Sequence, residues 1–153
     1  MYSNWSRIPT DTREEGLKEA LWHILYCMQI AEWQAAHNKF YIFEHPTHAL
    51  SWQMAAVQHV PGEVCEIDQC AFGLVDPDGN PLLKKTKIKT NMPSLVRLLN
   101  QPSCRCNGGH THGLISGQPR GMLVSRYSQV YPEALCEVFA KAVRQELHIA
   151  GAL

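Results

Sequence analysis

The stretch that decides the fold is residues 63–91, EVCEIDQCAFGLVDPDGNPLLKKTKIKTN, in which two strand-like segments flank a turn. Residues 76–80, DPDGN, combine aspartate, proline and glycine, which are the residues that most often form turns. Residues 85–90 alternate lysine with threonine or isoleucine, the period of two that places alternate side chains on opposite faces of a strand. The sequence therefore predicts a two-stranded ribbon here.

On the N-terminal side of the ribbon, residues 13–38 repeat apolar side chains in steps of three and four, which is the spacing of an amphipathic helix. Residues 10–12, TDT, offer N-caps, and Asn38 is a stop signal. Residues 39–46, KFYIFEHP, form a short apolar and aromatic run that ends at Pro46. Such a run is typical of a buried strand.

Three more segments have helical patterns: residues 49–60, 94–100 and 132–150. The resulting order is helix, strand, helix, ribbon, helix, loop, helix, which indicates an α/β layered domain. The chain of 153 residues is of single-domain length, and we treat 1–153 as one domain. Because no strand precedes the first helix, the pattern resembles the second half of a doubly wound, Rossmann-like sheet with flanking helices.

Composition narrows the function classes. Lys plus Arg equals Asp plus Glu, so the formal net charge of zero gives no general argument for nucleic-acid or membrane binding. The N-terminus has no apolar signal-peptide core, and no window approaches the roughly 18 apolar residues that a membrane span needs. We therefore expect an intracellular, reducing compartment, cytoplasmic or nuclear, in which the six cysteines are thiols or metal ligands.

Residues 103–113, SCRCNGGHTHG, carry two cysteines and two histidines. A structural zinc site needs four such ligands in tetrahedral arrangement. His110 and His112 can face the same way in an extended segment, and Cys106 stands one short loop before them. Cys70, at the end of the preceding ribbon strand, would supply the fourth ligand and tie the loop to the sheet. We therefore predict a zinc site of Cys70, Cys106, His110 and His112.

Two alternatives to this ligand set remain open from the sequence. In the first, Cys104 replaces Cys70, although two thiolates separated by one residue would lie too close together on a short segment. In the second, the loop holds no metal. A catalytic zinc is disfavoured because no His-x-Glu motif accompanies the ligands. A thiol redox pair is disfavoured because the usual spacing of two residues between the cysteines is absent.

Five segments occur in an order that resembles one known group of proteins: YIFEHPTHALSW, DQCAFGL, KKTKIKTN, CNGGHTH and YPEALC. That group consists of methyltransferase-like proteins of phages and mobile elements, which are similar to cytosine-5 DNA methyltransferases. In these proteins a Pro-Cys motif precedes the first helix, and a Ser/Asn-rich stretch follows that motif. Residues 1–8, MYSNWSRI, resemble this stretch.

The resemblance also implies what this chain lacks. In such enzymes the glycine-rich S-adenosylmethionine loop and the Pro-Cys nucleophile lie upstream, and neither a GxGxxG nor a Pro-Cys pair occurs here. The resemblance therefore implies a truncated C-terminal half that is inactive alone. S-adenosylmethionine would bind only in a full-length parent or together with a separately encoded N-terminal half.

The resemblance assigns Glu44 the catalytic position, where a carboxylate would hold and help protonate a flipped target base. Lys85, Lys87 and Lys89 share one face of their strand and suit contact with DNA phosphates, although a solvated lysine edge is an equal alternative.

The rival hypothesis is a small zinc-stabilised module that binds nucleic acid or protein through the lysine face or the exposed side of the first helix. We expect Trp22 and Trp33, inside that helix, to pack in the core.

Overall fold

The computed structural model describes residues 9–113 and 124–151. Its strands are β1 (Ile42–Pro46), β2 (Glu63–Asp68) and β3 (Lys85–Thr90). Its helices are α1 (Thr10–Ala36), α2 (Ala55–His59), α3 (Pro93–Leu99), α4 (Val124–Tyr127) and α5 (Glu133–Ile149), with 3-10 turns at Leu50–Gln53, Gln69–Phe72 and Pro102–Cys104. Residues 1–8, which carry the MYSNWSRI resemblance, lie outside the described residues.

The mixed α/β class is confirmed, but a doubly wound sheet is not shown. The three described strands have the order β1-β3-β2, and both outer strands pair antiparallel with β3. The connection from β2 to β3 contains no α-helix, and it returns the chain so that the two strands pair antiparallel as a ribbon. The register sets Glu66 opposite Lys87 and Glu44 opposite Ile88.

The predicted ribbon turn is confirmed. Asp76 Oδ1 accepts hydrogen bonds from the backbone N–H groups of Asp78 and Asn80, both at 2.9 Å. Gly79 adopts a φ of 86°, which suits glycine. The side chain of Asp76 thus supplies the acceptor for two backbone N–H groups of the turn.

Of the predicted strand over residues 39–46, residues 42–46 form β1, but the prediction that the strand is buried is wrong. Among the described strands β1 pairs with β3 alone and lies at the edge of the sheet, and none of its five residues is fully buried. The predicted helix over residues 49–60 is also interrupted. Met54 has an extended backbone that separates the 3-10 turn from α2.

The first helix begins at Thr10, directly after Pro9, so the candidate N-caps lie inside it. It ends at Ala36, and Asn38 has a positive φ of 55°, a left-handed conformation that stops helices. The expected core position of its two tryptophans is wrong: Trp22 is 71% exposed and Trp33 is 53% exposed. Among the described residues, no helix has both the length and the apolar character to cross a membrane.

The sheet has an apolar cluster on each face. On one face, Ile88 packs with residues of β2, α3 and α5, of which the buried members include Cys65, Ile67, Leu95, Leu99, Leu135 and Ala142. On the other face, Phe43 of β1 joins a cluster from α1 and α2 that contains Met28, Ala31, Val57 and Val60. Strand alternation explains this division, since neighbouring residues of a strand point to opposite faces.

A carboxylate joins the two helices of the first cluster. Glu146 of α5 is buried, and its Oε1 accepts the backbone N–H of Ser94 in the first turn of α3 at 2.6 Å. The first N–H groups of a helix have no partner within the helix, and the helix dipole favours a negative charge there. Glu146 therefore caps α3 from a neighbouring element.

We predict that Glu146→Ala lowers the free energy of unfolding by about 1–3 kcal/mol, because the Ser94 N–H is left buried without its acceptor. Urea titration followed by circular dichroism measures the change. Glu137→Ala, at an exposed position of the same helix, is the control and should change the stability little. Equal losses in both variants would contradict the capping role.

Candidate metal centre

Four side chains of the 103–113 loop and the β2–β3 connection converge on one point. The ligand atoms of Cys70, Cys106, His110 and His112 all lie within 4.8 Å of one another. The Sγ atoms of Cys70 and Cys106 lie 3.5 Å and 3.4 Å from Nε2 of His112. Cys106 Sγ lies 3.7 Å from His110 Nε2, and the two Nε2 atoms are 3.1 Å apart.

These separations fit a tetrahedral ion. Zinc binds thiolate sulfur at about 2.3 Å and imidazole nitrogen at about 2.0–2.1 Å, so a tetrahedral site places sulfur about 3.6 Å from nitrogen and two nitrogens about 3.3 Å apart. The observed sulfur–nitrogen distances bracket the first value, and the nitrogen–nitrogen distance lies close to the second. The predicted four residues are therefore close enough to one another to hold a metal ion.

The ligands come from two separate parts of the chain. Cys70 lies in the 3-10 turn Gln69–Phe72, which follows β2 directly. The other three stand in the loop after the 3-10 turn Pro102–Cys104, where Gly108 has a φ of 74° and turns the chain between Cys106 and the histidines. A metal at this point would join the end of β2 to a loop that has little regular structure of its own.

Backbone hydrogen bonds hold both ends of the loop near the sheet. At the start, Asp68 Oδ2 accepts the N–H of Cys106 at 2.9 Å. At the end, Gly113 donates its N–H to the carbonyl of Pro81 at 2.8 Å and forms a bridge with Leu82. The loop held by these two hydrogen bonds brings the ligand atoms of Cys106, His110 and His112 within 4.8 Å of Cys70 Sγ.

The Cys70 thiol has a pKa above its ordinary value. Burial, with a further contribution from the neighbouring Cys106, raises the pKa of Cys70 to about 11. A bound divalent ion stabilises the thiolate and lowers that pKa, so metal binding here would release protons. The Gly108 N–H points to Cys106 Sγ at 3.4 Å, a contact that a thiolate strengthens.

Cys104, the alternative ligand, takes another role. Its side chain is buried in the apolar cluster with Leu95 and Leu99, and its Sγ donates to the carbonyl of Leu98 at 3.3 Å. The two cysteines of the Cys-x-Cys pair thus point in different directions. The 3-10 turn that contains Cys104 explains this, because it aims that side chain at the core and leaves Cys106 beyond its end.

Glu44 lies within β1 rather than beyond a strand end, on the face of the sheet that carries Ile88. Tyr131 donates its hydroxyl to Glu44 Oε2 at 3.0 Å. Burial and the neighbouring carboxylate raise the pKa of Tyr131, while burial lowers the pKa of Lys84, whose ammonium lies 5.6 Å from the Tyr131 ring centroid. Glu44 therefore belongs to a half-buried polar cluster that is separate from the metal centre.

The three predicted lysines differ in exposure. Lys85 is exposed and Lys87 is half-buried, but Lys89 is only 5% exposed. Its ammonium points to the carbonyl of Gln58 at 3.4 Å, because α2 covers that end of the strand. Only Lys85 and Lys87 of the predicted row can contact a phosphate in this conformation, and their contact with DNA stays a prediction.

Sequence reasoning missed two groups. Asp68 adjoins the metal loop through the Cys106 N–H, and its position two residues before Cys70 was the available signal. Tyr131 reaches Glu44 across 87 residues of sequence, and no local pattern points to such a contact.

Comparison of the chain with protein-family models, curated proteins and solved structures finds no match.

We predict one zinc ion per chain in the purified protein and its loss in Cys70→Ser, because three loop ligands alone leave the tetrahedron open. Zinc is measured by atomic absorption after dialysis. Cys136→Ser, at an exposed cysteine outside the cluster, is the matched control and should keep full occupancy. Cys104→Ser should also keep it, and the reverse pattern between Cys70 and Cys104 would move the site wholly into the loop.

Proposed function

We propose that this chain is a small binding module in which a structural zinc ion fastens the 103–113 loop to the β2–β3 ribbon. The observation that carries the proposal is the convergence of two thiols and two imidazoles from separate segments. Soft sulfur and borderline nitrogen ligands in a tetrahedral set suit zinc better than magnesium or calcium, which prefer oxygen.

The arrangement favours a structural over a catalytic ion. A catalytic zinc keeps three protein ligands and an open position for water, whereas four protein ligands close the coordination shell. The nearby carboxylate of Asp68 accepts a hydrogen bond from the Cys106 N–H. Hydrogen bonds of this kind orient the residues that bind a metal. The metal would therefore contribute folding free energy rather than activate water.

Cobalt substitution tests this role. We expect the Co²⁺-loaded chain to show the intense visible absorption of a tetrahedral site, and we expect azide or cyanide to leave that spectrum unchanged, since four side chains leave no exchangeable position. Cys70→Ser is the comparison, because water can then enter and the added anion should shift the bands. An anion-sensitive spectrum in the unsubstituted chain would instead indicate an open, catalytic site.

Glu44 favours a second candidate, the C-terminal part of a cytosine-5 DNA methyltransferase-like domain. Its Oε1 is buried and has no hydrogen-bond partner among the described residues, whereas Oε2 is held by Tyr131. A buried carboxylate oxygen without a donor is costly, and a bound group that donates to it would remove the cost. The family resemblance gives that place to a target base, with S-adenosylmethionine and the nucleophile supplied by an upstream half.

This candidate predicts weak DNA binding that depends on salt. Two lysine–phosphate contacts give a slope of log K against log salt near about −1.8. Replacing Lys85 and Lys87 by glutamate should abolish the measured binding in fluorescence anisotropy. Replacing Lys141 and Arg144, both at exposed positions of α5, by glutamate is the control of equal charge change. Unchanged binding in the double variant would make the lysines a solvated edge and remove this support for a DNA partner.

A further inference from the structure

The outer face of α1 carries an aromatic stripe that the described part of the chain leaves exposed. Trp22 is 71% exposed, Tyr26 64%, Ile30 44% and Trp33 53%. At about 100° per residue these four side chains share one side of the helix, and Met28 and Ala31, which are buried, lie on the opposite side. The helix therefore has two apolar faces, of which only one packs against other described residues.

The size of the stripe points to a protein interface. Together the four side chains expose roughly 500 Å² of apolar surface, taking about 150–250 Å² for a whole aromatic side chain. The largest apolar patch of a typical monomer is about 300–600 Å² and is often functional. A symmetric pair that also covers the polar residues at the ends of the stripe would bury on the order of 1,200–1,600 Å², the size of a standard specific interface.

Charged residues at the two ends of the stripe make the surface complementary to a second copy of itself. Toward the N-terminus the stripe continues into Glu15 and Glu19, which are exposed. At the other end His37 stacks on Trp33 with 4.2 Å between ring centroids, and the Lys39 ammonium lies 5.9 Å from the Trp33 ring centroid. One end of the stripe is thus acidic and the other end carries basic groups.

The positions in the stripe step along the helix by three or four residues, as in the seam of a helix pair. They are Glu15, Glu19, Trp22, Tyr26, Ile30, Trp33 and His37. In an antiparallel pair with its two-fold axis at Tyr26, each Trp22 faces Ile30 of the second copy, and each Glu15 faces its His37. A parallel pair would instead set acidic residues against acidic residues.

We propose that α1 binds a second copy of this chain, antiparallel, through this stripe, with Tyr26 at the two-fold axis. The interface is isologous, so the same residues serve both subunits and the assembly closes as a dimer. A groove of about 410 Å³ between α1 and α2, lined by Trp22, Tyr26 and Val60 among others, receives side chains of the second copy. This inference rests on the proposed function in taking the domain as a binding module, and it names the partner.

The first experiment measures mass against protein concentration by sedimentation equilibrium. The zinc-loaded full chain should be a dimer at micromolar concentration, and Tyr26→Glu should weaken the dimer at least about tenfold, because it sets two carboxylates together at the centre of the interface. Ile149→Glu, at another exposed apolar position that lies on α5, is the control and should dimerise normally. Circular dichroism and zinc content establish that each variant folds.

The second experiment tests the orientation. In a background with Cys136→Ser and Cys27→Ser, chains carrying Glu15→Cys are mixed with chains carrying His37→Cys and treated with a short bis-maleimide. The antiparallel pair gives the mixed cross-link, and Glu15→Cys alone gives none, since the two copies of residue 15 are roughly 33 Å apart. A cross-link between two copies of Glu15→Cys would overturn the antiparallel arrangement.

The outcomes separate the two proposals. A zinc-loaded chain that stays monomeric, or a dimer that Tyr26→Glu leaves intact, overturns the α1 pairing, while the metal site stands. A dimer sensitive to Tyr26→Glu in a chain that holds no zinc supports the pairing and refutes the structural metal.

Discussion

The convergence of Cys70, Cys106, His110 and His112 is the constraint on which the proposed ordering of the 103–113 loop depends. Residues 103–113 form no helix or strand beyond one 3-10 turn, and their backbone contacts with the sheet are those of Cys106 and Gly113. Apart from Cys104, which lies in the apolar core, no residue of this loop is fully buried, so the loop gains little from burial. Structural zinc contributes apparent binding free energies of about 10–16 kcal/mol in small domains, which is ample to order such a segment.

The cluster in turn depends on the register of the ribbon. Asp68 pairs with Lys85, and the chain leaves β2 there into the turn that carries Cys70. A slip of one residue would move Asp68 and Cys70 to other faces and take both away from the loop. The apolar face of the sheet resists such a slip, because Cys65, Ile67 and Ile88 are all fully buried against α3 and α5. Core packing thus positions the candidate metal ligand Cys70 without direct contact with the loop ligands.

Local patterns predicted the features that local chemistry determines. The span of α1, the turn at residues 76–80 and the grouping of Cys70 with the loop ligands follow from periodicity, turn residues and ligand counting, and the structure agrees with them. The antiparallel pairing of β1 with β3 and the contact of Tyr131 with Glu44 join residues far apart in sequence, so no short pattern specifies them.

The exposure of Trp22 and Trp33 was mispredicted for a different physical reason. Periodicity shows that a helix has an apolar side, but α1 has two, and only tertiary packing determines which one the domain covers. The small side chain of Ala31, buried on the inner side, lets α1 approach the rest of its cluster, and the large aromatic side chains of Trp22 and Trp33 remain exposed. That division is what makes the outer side available for association.

X-ray absorption at the zinc edge tests the central claim most directly, because it reports the ligand atoms and their distances in the purified chain. The account predicts two sulfur ligands at about 2.3 Å and two imidazole nitrogens at about 2.0–2.1 Å. A shell with three sulfurs, or one with a single sulfur and oxygen from water, would show that Cys70 and the loop do not meet at one ion and would contradict the account.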